Sequence, residues 1–291
     1  MIINCIVCQK SINKISAKVV ISPWIRQLGI KKRWSNFLNC SNCGLGFFSY
    51  RYSDEEMQYI YKDYRGETYV DIRNNWEPWY DSNYNLNHDK ETWVSMRRQA
   101  LSNFLNKFEI NPDVVVDVGG DRGQYIPNLG QKTSILIDTS EKVPVEGVIR
   151  KFSLNEVYNP NLIILSHVLE HVANPVVTLR ELFQYSNFVY VEVPYGVPII
   201  SKKRRSGFRF LIKLFSTVHP IFWRRFAMPA TGRKSGNRIL VQNEHINFFN
   251  EKSMVVLSER LDSKIKLEVN EITSPDGNIV KVIQCLLSIE N

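Results

Sequence analysis

The chain has 291 residues, 44% of them hydrophobic, and a formal net charge of +8. That is enough chain to bury a sizeable core, as one large α/β domain with attachments or as two domains. No stretch approaches the ~20 uncharged apolar residues of a membrane span, and Met1 to Cys8 lacks the basic run and long apolar segment of a secretory signal, so a cytoplasmic protein is expected.

Residues 1–50 carry four of the five cysteines in two close pairs, Cys5-x-x-Cys8 and Cys40-x-x-Cys43, with residues 9 to 39 between them. That spacer is longer than the ~15–20 residues of compact fingers, but each pair makes its own turn and tolerates an insertion. Four thiolates in this pattern predict a closed, tetrahedral, structural zinc site, with Gly44 and Gly46 suiting the tight turn beside the metal. Paired spacing disfavours four unrelated buried thiols. The absence of a thioredoxin-like context disfavours a redox disulfide. Lys18–Ile21 and Gly46–Phe48 read as short strands, and Cys285 as core.

Residues 51–110 read as helical and rich in aromatics. Ser53 followed by Asp54, Glu55 and Glu56 predicts a capped helix start. Trp93, Met96, Ala100, Leu101, Phe104, Leu105 and Phe108 recur at helical spacing, which predicts a helix over 92–108 packed on the following sheet. His88, among Tyr80, Tyr84, Asn85 and Asn87, is read either as part of a sugar pocket or as part of an exposed loop.

From Val114 onward strands alternate with helices, so residues 111–291 are expected to form a mostly parallel sheet with helices on both faces. The expected strands are 114–118, 134–138, 161–166, 188–193 and a late pair near 266–272 and 280–289, which has no helix between its members and suits an antiparallel edge. The expected helices are 124–129, 175–185 and 251–260. Residues 196–240 interrupt the alternation as an insertion. Within it, Lys202–Arg205 precedes an aromatic stretch to Phe226, which suits a lid serving a phosphorylated acceptor or a peripheral membrane contact over 201–226. Basic runs such as this and Lys31–Arg33 also occur as plain solvated surface. His219 lies in the same insertion with no case for catalysis.

Val114–Asp117 is a β-branched run ending in an acid, and Val118-Gly119-Gly120-Asp121-Arg122-Gly123 follows at once. A buried parallel strand delivers its chain into a nucleotide-binding loop in this way. The dinucleotide fingerprint G-x-G-x-x-G fails because Val118 stands at its first glycine. Asp138 ends the next strand 21 residues after Asp117 and can accept both hydroxyls of a ribose.

Asp117, Gly119 and Gly123 match the acid-x-Gly-x-Gly-x-Gly motif of the Rossmann-like methyltransferases that use S-adenosylmethionine, with Asp121 at the place of the middle glycine. Asn161 to Val172, containing Ser166-His167-Val168-Leu169-Glu170-His171, resembles the fourth-strand segment of that superfamily. The resemblance implies cofactor contacts from Asp117, Gly119, Gly120, Asp121, Gly123 and Asp138, with Ser166 and His167 at the methyl end. His167-x-x-Glu170-His171 also matches the H-x-x-E-H pattern of inverted zinc peptidases, which requires both histidines inside one helix. Against that, His167 directly follows an apolar strand. Glu170 and His171 are otherwise read as bracing a first helical turn.

A four-cysteine module at 1–50, an aromatic connecting segment at 51–110 and a cofactor domain at 111–291 together resemble the sugar C-methyltransferases and their shorter relatives in capsule and O-antigen synthesis. Glu244-His245 resembles that family's active-site segment, which implies proton abstraction by His245 beside Glu244. Gln242 stands where the family has a tyrosine. The expected function is methyl transfer from S-adenosylmethionine to a saccharide or nucleotide-sugar acceptor, on oxygen or carbon, in surface polysaccharide synthesis, with His245, Glu244 and His167 as catalytic candidates. The alternatives are an RNA methyltransferase that binds through the zinc ribbon and positive charge, and a non-catalytic binding module. The Asn/Asp-Pro-Pro-Tyr/Phe motif of enzymes that methylate base amino groups is lacking, so nucleic acid is not the expected partner.

Overall fold

The computed structural model describes residues 3–140, 142–198, 219–224, 240–274 and 277–290. Most of the 196–240 insertion, including the basic run and all of its aromatic stretch but residues 219–224, therefore lies outside the described residues.

Five parallel strands form the centre of a seven-stranded sheet: β6 (Val114–Val118), β7 (Thr133–Ile137), β8 (Val148–Lys151), β9 (Leu162–Ser166) and β10 (Phe188–Pro194). Their order is β10-β9-β6-β7-β8. From β6 the chain winds outward to β8, then crosses back so that β9 lies on the other side of β6, with Val116 opposite Ile163. The crevice between the ends of β6 and β9 is thus a topological switch point, where ligands bind in open α/β sheets. Beyond β10 the last two strands, β13 (Lys264–Thr273) and β14 (Ile279–Ser288), form an antiparallel hairpin, with β14 antiparallel to β10. The expected antiparallel edge is present.

Helices cover both faces, and apolar periodicity dictates which sides they bury. On one face α5 (Glu91–Leu105) lays Leu101, Phe104 and Leu105 on Val115, Leu162, Ile164 and Tyr190. On the other, α6 (Pro175–Leu182) presents Val176, Leu179 and Leu182 at i, i+3 and i+6, each at most 5% exposed. Each such side chain stabilises by about 1.5–3 kcal/mol when buried. Asn174 caps α6 by accepting from the Val177 N–H, and Pro175 occupies the first turn, where its missing donor costs nothing. A later helix, Glu251–Glu259, buries Met254 and Leu257 in the same cluster.

Two local expectations fail. Residues 124–129 form turns rather than a helix. Pro127 removes a donor there, and the Gln124 side chain accepts the Arg122 N–H instead of pointing to solvent. Strand β8, missed in the sequence, is a four-residue edge strand without a continuous apolar run.

The N-terminal part builds a second sheet whose strands lie, in spatial order, as β11 (Val241–Gln242), β3 (Ala17–Ile21), β4 (Trp34–Asn39), β5 (Gly46–Phe48) and β12 (Asn247–Phe248). Its two edges, β11 and β12, come from one short segment late in the chain, so residues 243–246 cross between them. An aromatic helical layer packs on this sheet: α2 (Asp54–Tyr61), α3 (Glu67–Trp76) and α4 (Ser82–His88). Ser53 and Glu56 form a reciprocal capping box at the start of α2.

Candidate active site and cysteine cluster

At the end of β6 the backbone turns sharply. Gly119 (φ 77°), Asp121 (φ 59°) and Gly123 (φ 71°) all adopt the left-handed conformation. A Cβ on Gly119 would lie 2.7 Å from Val168 Cγ2, and one on Gly120 would lie 2.0 Å from Asp117 Oδ2. Only glycine fits those two places. Asp121 tolerates its left-handed backbone because its short polar side chain finds partners, Lys142 at 2.9 Å and Arg65 at 3.6 Å. Asp138 Oδ2 accepts the Asp121 N–H at 2.9 Å and its Oδ1 accepts the Ser140 N–H at 2.6 Å. The second acid therefore clamps the loop it faces, and a carboxylate's about four lone-pair sites leave capacity for ribose hydroxyls.

Asp117 is 1% exposed, and its Oδ1 has no hydrogen-bond partner among the described residues. Burial, reinforced by the Asp138 and Asp121 carboxylates, pushes its carboxyl up to about 7. An orphaned carboxyl oxygen beside a cradle that admits no Cβ fits the polar groups of S-adenosylmethionine. Asp117, Asp138 and the Gly119–Gly123 backbone would hold it.

Across the switch point, Ser166 ends β9 and His167 follows in the left-handed region at φ 58°. His167 Nδ1 lies 3.1 Å from Glu170 Oε1, and its Nε2 lies 3.2 Å from Glu192 Oε1. Burial opposes a charge there, but the two carboxylates outweigh it and raise the imidazole to about 9. Glu192, on β10, is held well below the usual carboxylate range, at about 2, because burial is outweighed by Arg97 from α5 and by His167. Arg97 donates to Glu192 and to Ser166 Oγ. The Arg97 Nη1, 3.2 Å from His167 Nε2, opposes the charge on that imidazole.

The next turn carries Glu170 and His171 toward residues 243–246. It is a turn and not a helix. His167 and His171 therefore share no helix face, and the inverted-zincin arrangement is absent, as is the helical turn that Glu170 and His171 were expected to brace. Instead, Glu170 O accepts the N–H groups of Ile246 and Asn247, both at 2.9 Å, and fixes His245 beside His171. Their ring centroids lie 4.6 Å apart. Burial, then His171, lowers the His245 imidazole to about 4, so it is neutral at pH 7. Glu244 Oε1 takes an ion pair from Arg73 at 3.1 Å. Arg73 in turn lies over Tyr80 and Trp24, with its centroid distances 4.0 and 4.6 Å, and also pairs with Glu77. Tyr61, Tyr64, Tyr69 and Tyr80 continue as a chain of ring contacts from His171 to this arginine.

The four cysteines form two matching turns. Gln9 N–H donates to Cys5 O and Gly44 N–H to Cys40 O, with Gln9 and Gly44 both left-handed. All four sulfurs lie within 4.8 Å of one another, with Cys5–Cys43 at 3.6 Å and Cys8–Cys40 at 3.5 Å. Zinc–sulfur bonds of ~2.3 Å in a tetrahedron place sulfurs ~3.8 Å apart, so the cluster fits a zinc ion. Gly46, expected at this turn, serves elsewhere: it lies in β5, where a Cβ would meet Val197 and Phe37 below 3 Å.

The structure thus gathers Asp117, Gly119, Gly120, Asp121, Gly123 and Asp138 into one cradle and sets Ser166 and His167 across the crevice from it. It sets Glu244 and His245 one turn further on, beside Glu170 and His171. Arg97, Glu192, Arg73 and Tyr61 complete the cluster without any motif of their own. His88 instead packs its ring on Tyr84, with centroids 4.4 Å apart.

A methyltransferase domain family matches residues 93–265, from α5 into β13. No curated protein matches the sequence significantly. Among solved structures, the plantazolicin methyltransferase BpumL, in complex with a monoazolic desmethylPZN analog and SAH, is 13% identical. That similarity covers 75% of this chain and 94% of that one, with a TM-score of 0.41. The magnesium protoporphyrin IX methyltransferase ChlM from Synechocystis PCC 6803, with bound SAH, is 14% identical over 79% of this chain and 99% of that one, with a TM-score of 0.43. The family match spans more than half of the chain and takes in the glycine cradle, the switch point and the Glu244–His245 segment. The chain belongs to the methyltransferase domain family and is an S-adenosylmethionine-dependent methyltransferase.

Proposed function

We propose that the protein transfers a methyl group from S-adenosylmethionine to a hydroxyl of a saccharide or nucleotide-sugar in surface polysaccharide synthesis, in the cytoplasm. The observation that carries this reading is the acceptor end of the site. A carboxylate–imidazole pair, Glu244–His245, sits against a run of tyrosines, and aromatic faces with hydrogen-bonding rims suit a sugar ring. When bound, the cofactor supplies a methyl carbon on a sulfonium sulfur; the acceptor oxygen bonds to that carbon and the C–S pair returns to sulfur.

The chain's own residues position the acceptor and activate its hydroxyl. His245 has a neutral imidazole with an available lone pair. It activates the acceptor. Glu244, fixed by Arg73, orients acceptor hydroxyls. His167 carries its proton and serves binding at the methyl end rather than proton removal. The four cysteines hold structural zinc.

Transfer of labelled methyl from S-adenosylmethionine into a panel of nucleotide sugars and capsular saccharides tests the reading. Incorporation into at least one sugar is expected, with His245→Ala slower by ~10²–10⁴-fold. Incorporation into RNA with none into any sugar would refute it.

A further inference from the structure

We propose that Glu170, His171 and His245 form a binding site for a divalent first-row metal ion at the acceptor end of the crevice. The inference rests on the acceptor reading above and specifies how His245 serves it: as a ligand to an ion that activates the hydroxyl.

The three side chains each offer one ligand atom, and these atoms lie within 4.8 Å of one another. His171 Nε2 is 4.0 Å from Glu170 Oε1. Two imidazoles and one carboxylate form a three-ligand set that leaves positions open for a substrate, as in catalytic sites rather than structural ones.

Three further observations indicate a site built to hold something. Glu170 is 1% exposed, yet its Oε2 has no hydrogen-bond partner among the described residues. A buried carboxylate oxygen left unpaired is costly unless a cation meets it. His171 Nδ1 lies 3.0 Å from the Glu244 carbonyl oxygen, and in the tautomer that donates to it the Nε2 lone pair faces Glu170. Metal-ligating histidines are fixed by this kind of outer contact. The same Nδ1 lies 2.8 Å from the Tyr61 hydroxyl.

The frame is rigid as well. Glu170 O holds the Ile246 and Asn247 N–H groups, and Asn247 Nδ2 donates to Leu169 O and Val172 O. Arg51 ties the two segments again, reaching Val172 O, Ala173 O, Ile246 O and Asn247 Oδ1. The ligands therefore stand together before any ion arrives. Through Glu170 Oε1, which meets His167, the site is one side chain from the switch point. A cation here lowers the pKa of an acceptor hydroxyl, whose proton passes to solvent, and aims the oxygen at the methyl group.

Cobalt(II) is the probe, added to the full chain after its cysteine cluster has been loaded with zinc. The expected result is one equivalent bound with weak visible d–d bands and no thiolate-to-cobalt absorption. His171→Ala, His245→Ala and the shape-conserving Glu170→Gln should each weaken that binding by at least ~100-fold, since even outer contacts are worth ~10–100-fold. Cobalt that binds only with a thiolate band, or that survives His245→Ala, would overturn the site. Methyl transfer that persists at full rate in chelator-stripped protein, yet is lost in His245→Ala, would overturn the metal and keep the acceptor reading. Cobalt bound as expected, with no sugar methylated, would keep the metal and remove the acceptor class.

Discussion

Asp117 shows how a single residue ties stability to pH. Its carboxyl sits near 7 in the fold and near ~3.9 in an unfolded chain. Below ~4 both states are protonated and the group is neutral to folding. Between ~4 and ~7 the unfolded chain has lost the proton and the fold keeps it, so stability falls as pH rises through that window. Above ~7 the full cost, on the order of a few kcal/mol, is present. Asp117→Asn should therefore melt higher than the parent at pH 8, with the gain fading by pH 4; a constant difference across that range would refute the burial argument. Gly120→Ala should weaken cofactor binding measured by calorimetry by about 1–3 kcal/mol, because the new methyl drives into Asp117. Arg73 is the buried partner of both Glu77 and Glu244. Arg73→Met should cost about 3–5 kcal/mol in a denaturant titration by stranding those carboxylates, and adding Glu244→Gln should restore part of it.

At the level of elements, legibility in the sequence followed burial. β6 and β9 were readable because both their faces are covered, so each appears as an apolar run that reaches a polar residue, Asp117 or Ser166, at its C-terminal end. The hairpin of β13 and β14 was readable from the missing helix between its members. The edge strand β8 was not, since half-exposed edges carry no such run. The cysteine turns repeat one backbone pattern twice, which is why the spacing alone indicated a metal site. Chelation should lower the melting temperature sharply, with Zn2+ restoring it, and Cys43→Ala should abolish the response to both. The Glu170–His171–His245 constellation had only half a signature. H-x-x-E-H includes His167, but the left-handed turn there directs that ring to two carboxylates. The missing partner stands 74 residues beyond His171, joined to it by main-chain hydrogen bonds that no local pattern encodes.

Across the whole molecule, Arg51 links the N-terminal sheet to the segment that follows β9. Burial lowers its guanidinium to about 9, and it donates to Phe48, Val172, Ala173, Ile246 and Asn247. Arg51→Lys keeps the charge but not the planar fork. A loss above about 3 kcal/mol in unfolding free energy is expected, together with weaker protection of the 243–247 amides in hydrogen exchange. Unchanged protection of those amides would show that the sheets hold together without it.

The two edges of the N-terminal sheet, β11 and β12, are supplied from residues 241–248. During synthesis β3, β4 and β5 emerge long before those edges exist, and the turn between the edges, with Glu244 and His245, arrives as late. The N-terminal sheet therefore cannot close until the chain has been translated past Phe248. Nascent or prematurely terminated chains present open strand edges instead, the kind of surface that recruits chaperones.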